Sequence, residues 1–322
     1  MSGKGNVQEL LLRGLWAENP LGFLSALGTL RAAAAVYGTE QVRMRWLIAG
    51  DAWSPQLGVQ TDTPLDEDLF ATALHGWLQR NSGREAFAIA DDLTLSPRAF
   101  RAACDIAAMQ ASAADRHQAD FMAAFGCDAV ELAESGKPSG KMADTAFRTM
   151  SGAGHQHFLG FMRALADDCA KEHLQRTLFA PWRYDDPLES HTMRWDPSDD
   201  VRYALRWRDS SGDPDRKRAG TMWGANRLAI EALPLFTTAP LSGTELATVG
   251  FTTRRGEGTA WTWPVWDRPC SVDVARTLLA LAPLQQPAPP RDELARMGIA
   301  EVFRCWRIRQ GKYRNLTPAR AV

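Results

Sequence analysis

Apolar and polar residues alternate most strictly between Val201 and Arg208. Val201, Tyr203, Leu205 and Trp207 fall on one side, and Arg202, Ala204, Arg206 and Arg208 on the other. A period of two predicts a half-buried strand. Trp195-Asp196-Pro197 and Asp199-Asp200 precede it, and the polar loop Ser210 to Gly220, with Arg216, Lys217 and Arg218 adjacent, follows it. The period then changes. Trp223, Arg227, Leu228, Ile230 and Leu233 recur at helical spacing until Pro234 stops them. Strand, basic loop and helix form a unit that presents arginines from a tryptophan-rich base.

The N-terminal pattern is equally readable. Asn19 is placed to cap a helix that Pro20 opens, running to about Tyr37, with Gly38 as its stop. Gly22, Ser25, Ala26 and Gly28 give this helix a small-residue surface that another backbone can approach closely. Residues 8 to 16 fit a short strand or a helical turn. Gln41 to Ala49 alternates as a strand, and Trp53 to Gln60 continues the sheet after a turn at Gly50-Asp51. Asp62 to Arg80 is expected to be helical from Pro64. Ser96-Pro97 opens an alanine-rich helical region, broken once before Gly126, and Ala129 to Met142 is expected to be a loop. One helix is expected over residues 155 to about 179.

The last third reads as strands. Thr248 to Arg255 and Ala260 to Trp266 flank Gly256-Glu257-Gly258 as a hairpin, and Pro264 demotes the second strand to an edge or a bulge. A helix follows from Ser271, then a proline-rich connector (283 to 290), a short helix from Arg291, and a hairpin made of 300–309 and 312–316. The class predicted is α+β: a helical middle and a mixed, largely antiparallel sheet dominated by the C-terminal third. Two regions are expected, 1–190 and 191–322, which could be one continuous domain.

Composition adds a charge asymmetry. The net charge is −1, yet residues 201 to 322 hold 19 Lys+Arg against 11 Asp+Glu, leaving 18 and 27 for the rest. One half is thereby suited to a polyanion and the other to solvent or a basic neighbour. The five cysteines are odd in number and include no CxxC, which fits reduced thiols. No apolar run reaches membrane-spanning length and the start lacks a signal peptide's pattern, so a cytoplasmic location without membrane contact is expected.

Catalytic signals are weak. His155 and His157 stand two apart and so point to different sides of a helix; His173, His191 and Cys169 could join them only through the fold. No HExxH or cysteine pair is present, and neither a metal nor another cofactor is expected. Ser151-Gly152-Ala153-Gly154 lacks the surroundings of a nucleophile elbow, though a helix N-terminus there could hold an anion. The pairs Asp91-Asp92, Asp167-Asp168, Asp185-Asp186 and Asp199-Asp200 diverge along the chain and read as solvated caps and turns. No catalytic residue is assigned.

The arginine-tryptophan constellation remains. Arg202, Arg206, Arg208, Arg216, Lys217, Arg218, Arg254, Arg255, Arg304, Arg307, Arg309 and Lys312 are the candidate nucleic-acid contacts, with Trp195, Trp207, Trp223, Trp261, Trp263, Trp266 and Trp306 in the same part of the chain. Guanidinium groups that meet phosphates, beside aromatic faces that stack on bases, are what single-strand binding requires. The competing readings are a protein-only interaction module and a metal-dependent nuclease or hydrolase.

The stretch Asn19 to Gly28 resembles the start of CRISPR-associated proteins of type I-G (I-U) systems. So does the set Ser151 to Gly154, Pro181-Trp182, Arg194-Trp195-Asp196-Pro197, Asp199-Asp200, Tyr203-Ala204-Leu205, Gly224-Ala225-Asn226 and Leu233 to Phe236. The set is similar first to the type I-G helicase-nuclease extension family, then to the effector large-subunit family. Its motifs are of a packing kind, and helicase and HD nuclease signatures are lacking. The resemblance implies a non-catalytic part of an RNA-guided antiviral complex, contacting CRISPR effector proteins and crRNA or target DNA.

Overall fold

The structure, a computed structural model, describes residues 6–81, 84–112, 115–134, 137–150, 157–188, 190–199, 220–310 and 313–322. The chain opens with strand β1 (Asn6–Leu11) and then helix α1 (Pro20–Tyr37). The Asn19 side chain accepts from the Gly22 N–H at 3.0 Å, and Gly38 closes the helix at φ 101°. Both ends of α1 therefore lie where local capping chemistry puts them. From Pro20 to Ala34 every residue but Arg31 is buried, which is why the helix lacks a polar face there.

Strands β2 (Val42–Ala49) and β3 (Ala52–Thr61) complete a three-stranded antiparallel sheet in the order β1-β3-β2. Helix α2 (Glu67–Arg80) starts after Pro64, because Asp66 takes the cap and accepts from the Leu69 N–H. A single turn, α3 (Arg84–Phe87), precedes α4 (Pro97–Gln110, capped by Ser96) and α5 (His117–Phe125). The expected break between these last two falls at residues 111–116.

The expected loop at 129–142 is instead part of a hairpin, β4 (Gly126–Glu134) and β5 (Lys137–Asp144). Its pairing shifts register between Cys127 and Glu131 and again before Ala133. Such bulges destroy the strict alternation by which a strand is recognised. The expected single helix over 155–179 is likewise two, α6 (Phe158–Asp168) and α7 (Lys171–Phe179). At the break the His173 imidazole Nδ1 accepts from the Ala170 N–H at 2.9 Å, which caps the second helix. Helix α8 (Trp223–Ala232) ends in a 3₁₀ turn through Pro234.

A short ribbon, β6 (Thr238–Pro240) and β7 (Leu246–Thr248), leads into β8 (Phe251–Arg254) and β9 (Gly258–Trp266). The turn between β8 and β9 uses Gly256 and Gly258 at φ 79° and 101°, where a side chain would be strained. Helices α9 (Val272–Leu279) and α10 (Arg291–Arg296) follow, then β10 (Ile299–Gln310), β11 (Tyr313–Leu316) and β12 (Arg320–Ala321). The sheet runs β11-β10-β9-β8, with β12 also pairing β10. The fold is α+β.

Pro264 sits in β9, an inner strand, without breaking the ladder. The Thr262 N–H bonds the Gly250 carbonyl on the β8 side. Two residues on, the Pro264 nitrogen faces that same side, beyond the point where β8 ends. A missing N–H costs nothing there. A bulge at Ile299–Glu301 lies nearby on β10.

One hydrophobic core extends across residues 190 and 191. At its centre α1 crosses α8 so closely that a Cβ on Gly28 would stand 1.7 Å from the Leu228 carbonyl oxygen. Ser25 donates its hydroxyl to the Ala225 carbonyl at 2.9 Å across the same crossing. The small-residue surface read from the sequence is thus the α8 contact. From the C-terminal sheet, the Trp263 indole donates to the Ala17 carbonyl and the Trp266 indole to the Met44 carbonyl. The Trp266 bond ties the C-terminal sheet to β2, and the Trp263 bond ties it to the connection between β1 and α1.

Candidate nucleic-acid interface

The C-terminal sheet sorts the candidate arginines by residue parity. Paired residues of adjacent antiparallel strands project from the same face. Register therefore places Phe251 with Trp261, Thr253 with Thr259, and Thr259 with Arg307 on one face. Thr262 and Arg304 are paired on the other, which Arg254 also shares through its pairing with Gly258.

On that second face, Arg304 is an interior residue. Its guanidinium donates to the Thr262 hydroxyl at 2.9 Å and to the carbonyls of Leu284, Gln286 and Pro287. Burial, then the nearby Arg254, lowers its pKa. Arg254 donates to the carbonyls of Gln285 and Gln286 at 2.8 and 3.1 Å. The proline-rich connector turns carbonyls inward that no strand or helix satisfies, and the two arginines satisfy them. This revises the sequence expectation for Arg254 and Arg304: their charges hold the connector against the sheet.

The first face has a different fate along its length. Where α1 covers it, Trp261 and Trp263 are fully buried against Phe23. Towards the β8–β9 turn the helix no longer reaches, and the face opens into a groove of about 600 Å³. Arg255 and Arg307 line it together with Phe251, Thr253, Thr259 and two carboxylates, Asp144 and Glu245. Arg255 is exposed and Arg307 half-buried. Neither makes an ion pair among the described residues.

Arg307 is the better positioned of the two. It donates from Nη2 to the Arg148 carbonyl at 2.5 Å, while its buried Nε has no hydrogen-bond partner among the described residues. Burial, then the nearby Arg314, brings its pKa down to about 9, still charged at neutral pH. Beneath it, the Arg148 guanidinium joins the carboxylates of Asp92 and Asp144 and donates to the Thr94 hydroxyl at 2.8 Å. Both carboxylates are thus taken by Arg148, and neither lies within ion-pair distance of Arg307.

Phe251 gives the groove a rigid aromatic wall. Its ring lies nearly parallel to Trp261, at 5.8 Å and 12°, and perpendicular to Phe147 at 4.8 Å. The sequence reading missed Phe251, Thr253 and Thr259. The signal that could have found them is the alternation around the Gly256 turn.

Several candidates lie outside the described residues: Arg202, Arg206, Arg208, Arg216, Lys217, Arg218 and Lys312, together with Trp207, Ser151 to Gly154 and His155. Arg309 is described in its backbone alone, within β10. Of the other tryptophans, Trp195 is buried and donates to the Phe147 carbonyl, and Trp223 donates to the Pro187 carbonyl.

The motifs behind the family resemblance are internal staples where they are described. Asp196 accepts from Asn19, Ser198 and the Tyr184 hydroxyl, tying the α1 cap to the chain beyond α7. Asn226 accepts from the Met193 N–H and donates to Thr221. Three acid pairs also depart from the solvated reading. Asp92, Asp186 and Asp199 are buried, held by Arg148, Arg176 and Thr192 respectively. No group of three or more His, Cys, Asp or Glu side chains able to hold a metal occurs among the described residues. The five cysteines are unbridged, and no described helix is long and apolar enough to cross a membrane.

Comparison with protein-family models, with curated proteins and with solved structures finds no match.

Proposed function

We propose that this chain is a non-catalytic, cytoplasmic component of a type I CRISPR antiviral effector that holds a nucleic-acid backbone in the groove at the open end of its C-terminal sheet. One observation carries the reading: Arg255 and Arg307 line a single groove with no carboxylate paired to either among the described residues. Cations left without a paired carboxylate attract phosphates, and each phosphate engaged releases counterions. The resemblance of Asn19 to Gly28 and of the Trp195-Asp196-Pro197 set supports the choice of system. The acidic excess of residues 1 to 200 suits a basic protein neighbour in the same complex.

The test is fluorescence anisotropy with labelled RNA and DNA across a salt series. Affinity is expected to fall linearly on logarithmic axes as salt rises, and Arg255→Glu to weaken binding and flatten that slope. Binding that ignores salt, or survives Arg255→Glu unchanged, rejects the groove as the interface. Co-purification with a protein and no nucleic acid would favour a protein-only module.

A further inference from the structure

Resting on that reading, we infer that the groove accepts a single strand, seating one phosphate on Arg307 and the adjoining base on the Phe251 ring. The two side chains share a face of the sheet by register: Phe251 pairs with Trp261, Arg307 with Thr259, and Thr259 and Trp261 are two apart on β9. They differ in what they offer. Arg307 is fixed by its bond from Nη2 to the Arg148 carbonyl; its Nε is sealed from solvent, and Nη1, which makes no hydrogen bond among the described residues, is the group left to meet a phosphate. Its place on the groove wall is reached by a phosphate that enters, more readily than by one on a rod lying across the rim. A terminal guanidinium N–H held in a set orientation suits a phosphate oxygen.

Phe251 offers an aromatic surface that is backed by Trp261 and Phe147 and so does not need to be ordered on binding. Base faces in a duplex are covered by neighbouring base pairs, whereas those of a single strand are free to stack on a side chain. The groove's volume of about 600 Å³ suits a ligand of small-molecule size, such as one or two nucleotides, and not a double helix. Between the two groups, the Thr253 and Thr259 hydroxyls stand 3.5 Å apart, with polar hydrogens for sugar or phosphate oxygens.

The experiment measures affinity of the full chain for a single strand, for the matched duplex, and for the same strand carrying either one abasic position or methylphosphonate linkages. Changes to the ligand leave the protein's folding untouched. The single strand is expected to bind at least about tenfold tighter than the duplex, with a similar loss on removing the base or the phosphate charge. Arg307→Gln and Phe251→Leu should each reproduce the corresponding loss, with folding checked by thermal denaturation. Equal affinity for duplex and single strand overturns the inference. So does a strand indifferent to base removal, or binding abolished by Arg255→Glu but untouched by Arg307→Gln and Phe251→Leu. In those cases the backbone-binding reading stands; absence of any salt-dependent binding removes both.

Discussion

The Arg307 guanidinium donates to the backbone carbonyl of Arg148, 159 residues earlier in the chain, at 2.5 Å. The side chain of the same Arg148 is locked between Asp92 and Asp144. One residue therefore pairs with two buried acids through its side chain and orients Arg307 through its carbonyl. This arrangement lets a positive charge face the groove although Asp144, paired with Arg148, lines the same groove.

That division of labour can be separated by mutation. Arg148→Met keeps the carbonyl that Arg307 uses but removes the guanidinium that pairs with both buried acids, Asp92 and Asp144. The expected cost is about 3–5 kcal/mol, the range for an uncompensated buried charge. Denaturant unfolding measures it, and adding Asp92→Asn and Asp144→Asn should recover part of the loss.

A second buried cluster gives a pH dependence. Glu231 on α8 is buried with Arg227 at 2.8 Å, Arg31 at 2.7 Å and His117 at 3.1 Å. Burial alone would raise its carboxyl pKa; Arg227, His117 and Arg31 more than offset that and hold it well below the usual carboxylate range. A depressed folded-state pKa stabilises the fold above the unfolded value of about 4.3. This contribution fades as pH falls below that value towards the folded one. At neutral pH, Glu231→Gln is expected to cost about 3–5 kcal/mol. Unfolding series at descending pH should show the gap between the two proteins narrowing below about pH 4.3.

The α1–α8 crossing admits no added atom at its closest point. Gly28→Ala would place Cβ 1.7 Å from the Leu228 carbonyl oxygen, which is backbone and cannot swing aside. The helices must separate, at an expected cost of at least about 1–3 kcal/mol. Thermal denaturation should show a lowered midpoint, while Gly50→Ala, whose added Cβ would meet nothing, reports only the strain of φ 69°.

What could be read from the chain was what neighbours in sequence decide. Asn19, Pro20 and Gly38 bound α1 as expected, because caps are made within one turn of the helix. The Gly256 turn joined its two strands for the same local reason. The β4–β5 hairpin escaped because its bulges break the period, and helix α2 began late because Asp66 outcompeted Pro64 for the start.

The candidate arginines mark the boundary. Alternation separates Arg254 from Arg255 by itself, since neighbours on a strand face opposite ways. It does not say which way leads to the proline-rich connector and which to open solvent. The long-range packing of α1 against Trp261 and Trp263, and of residues 284–287 against Arg304, decided that. Sequence thus determined the elements and the parity of their side chains, through hydrogen bonds and sterics spanning a few residues. Tertiary structure alone decided which charges were consumed inside and which were left facing a groove, because that depends on what distant segments bring to each face.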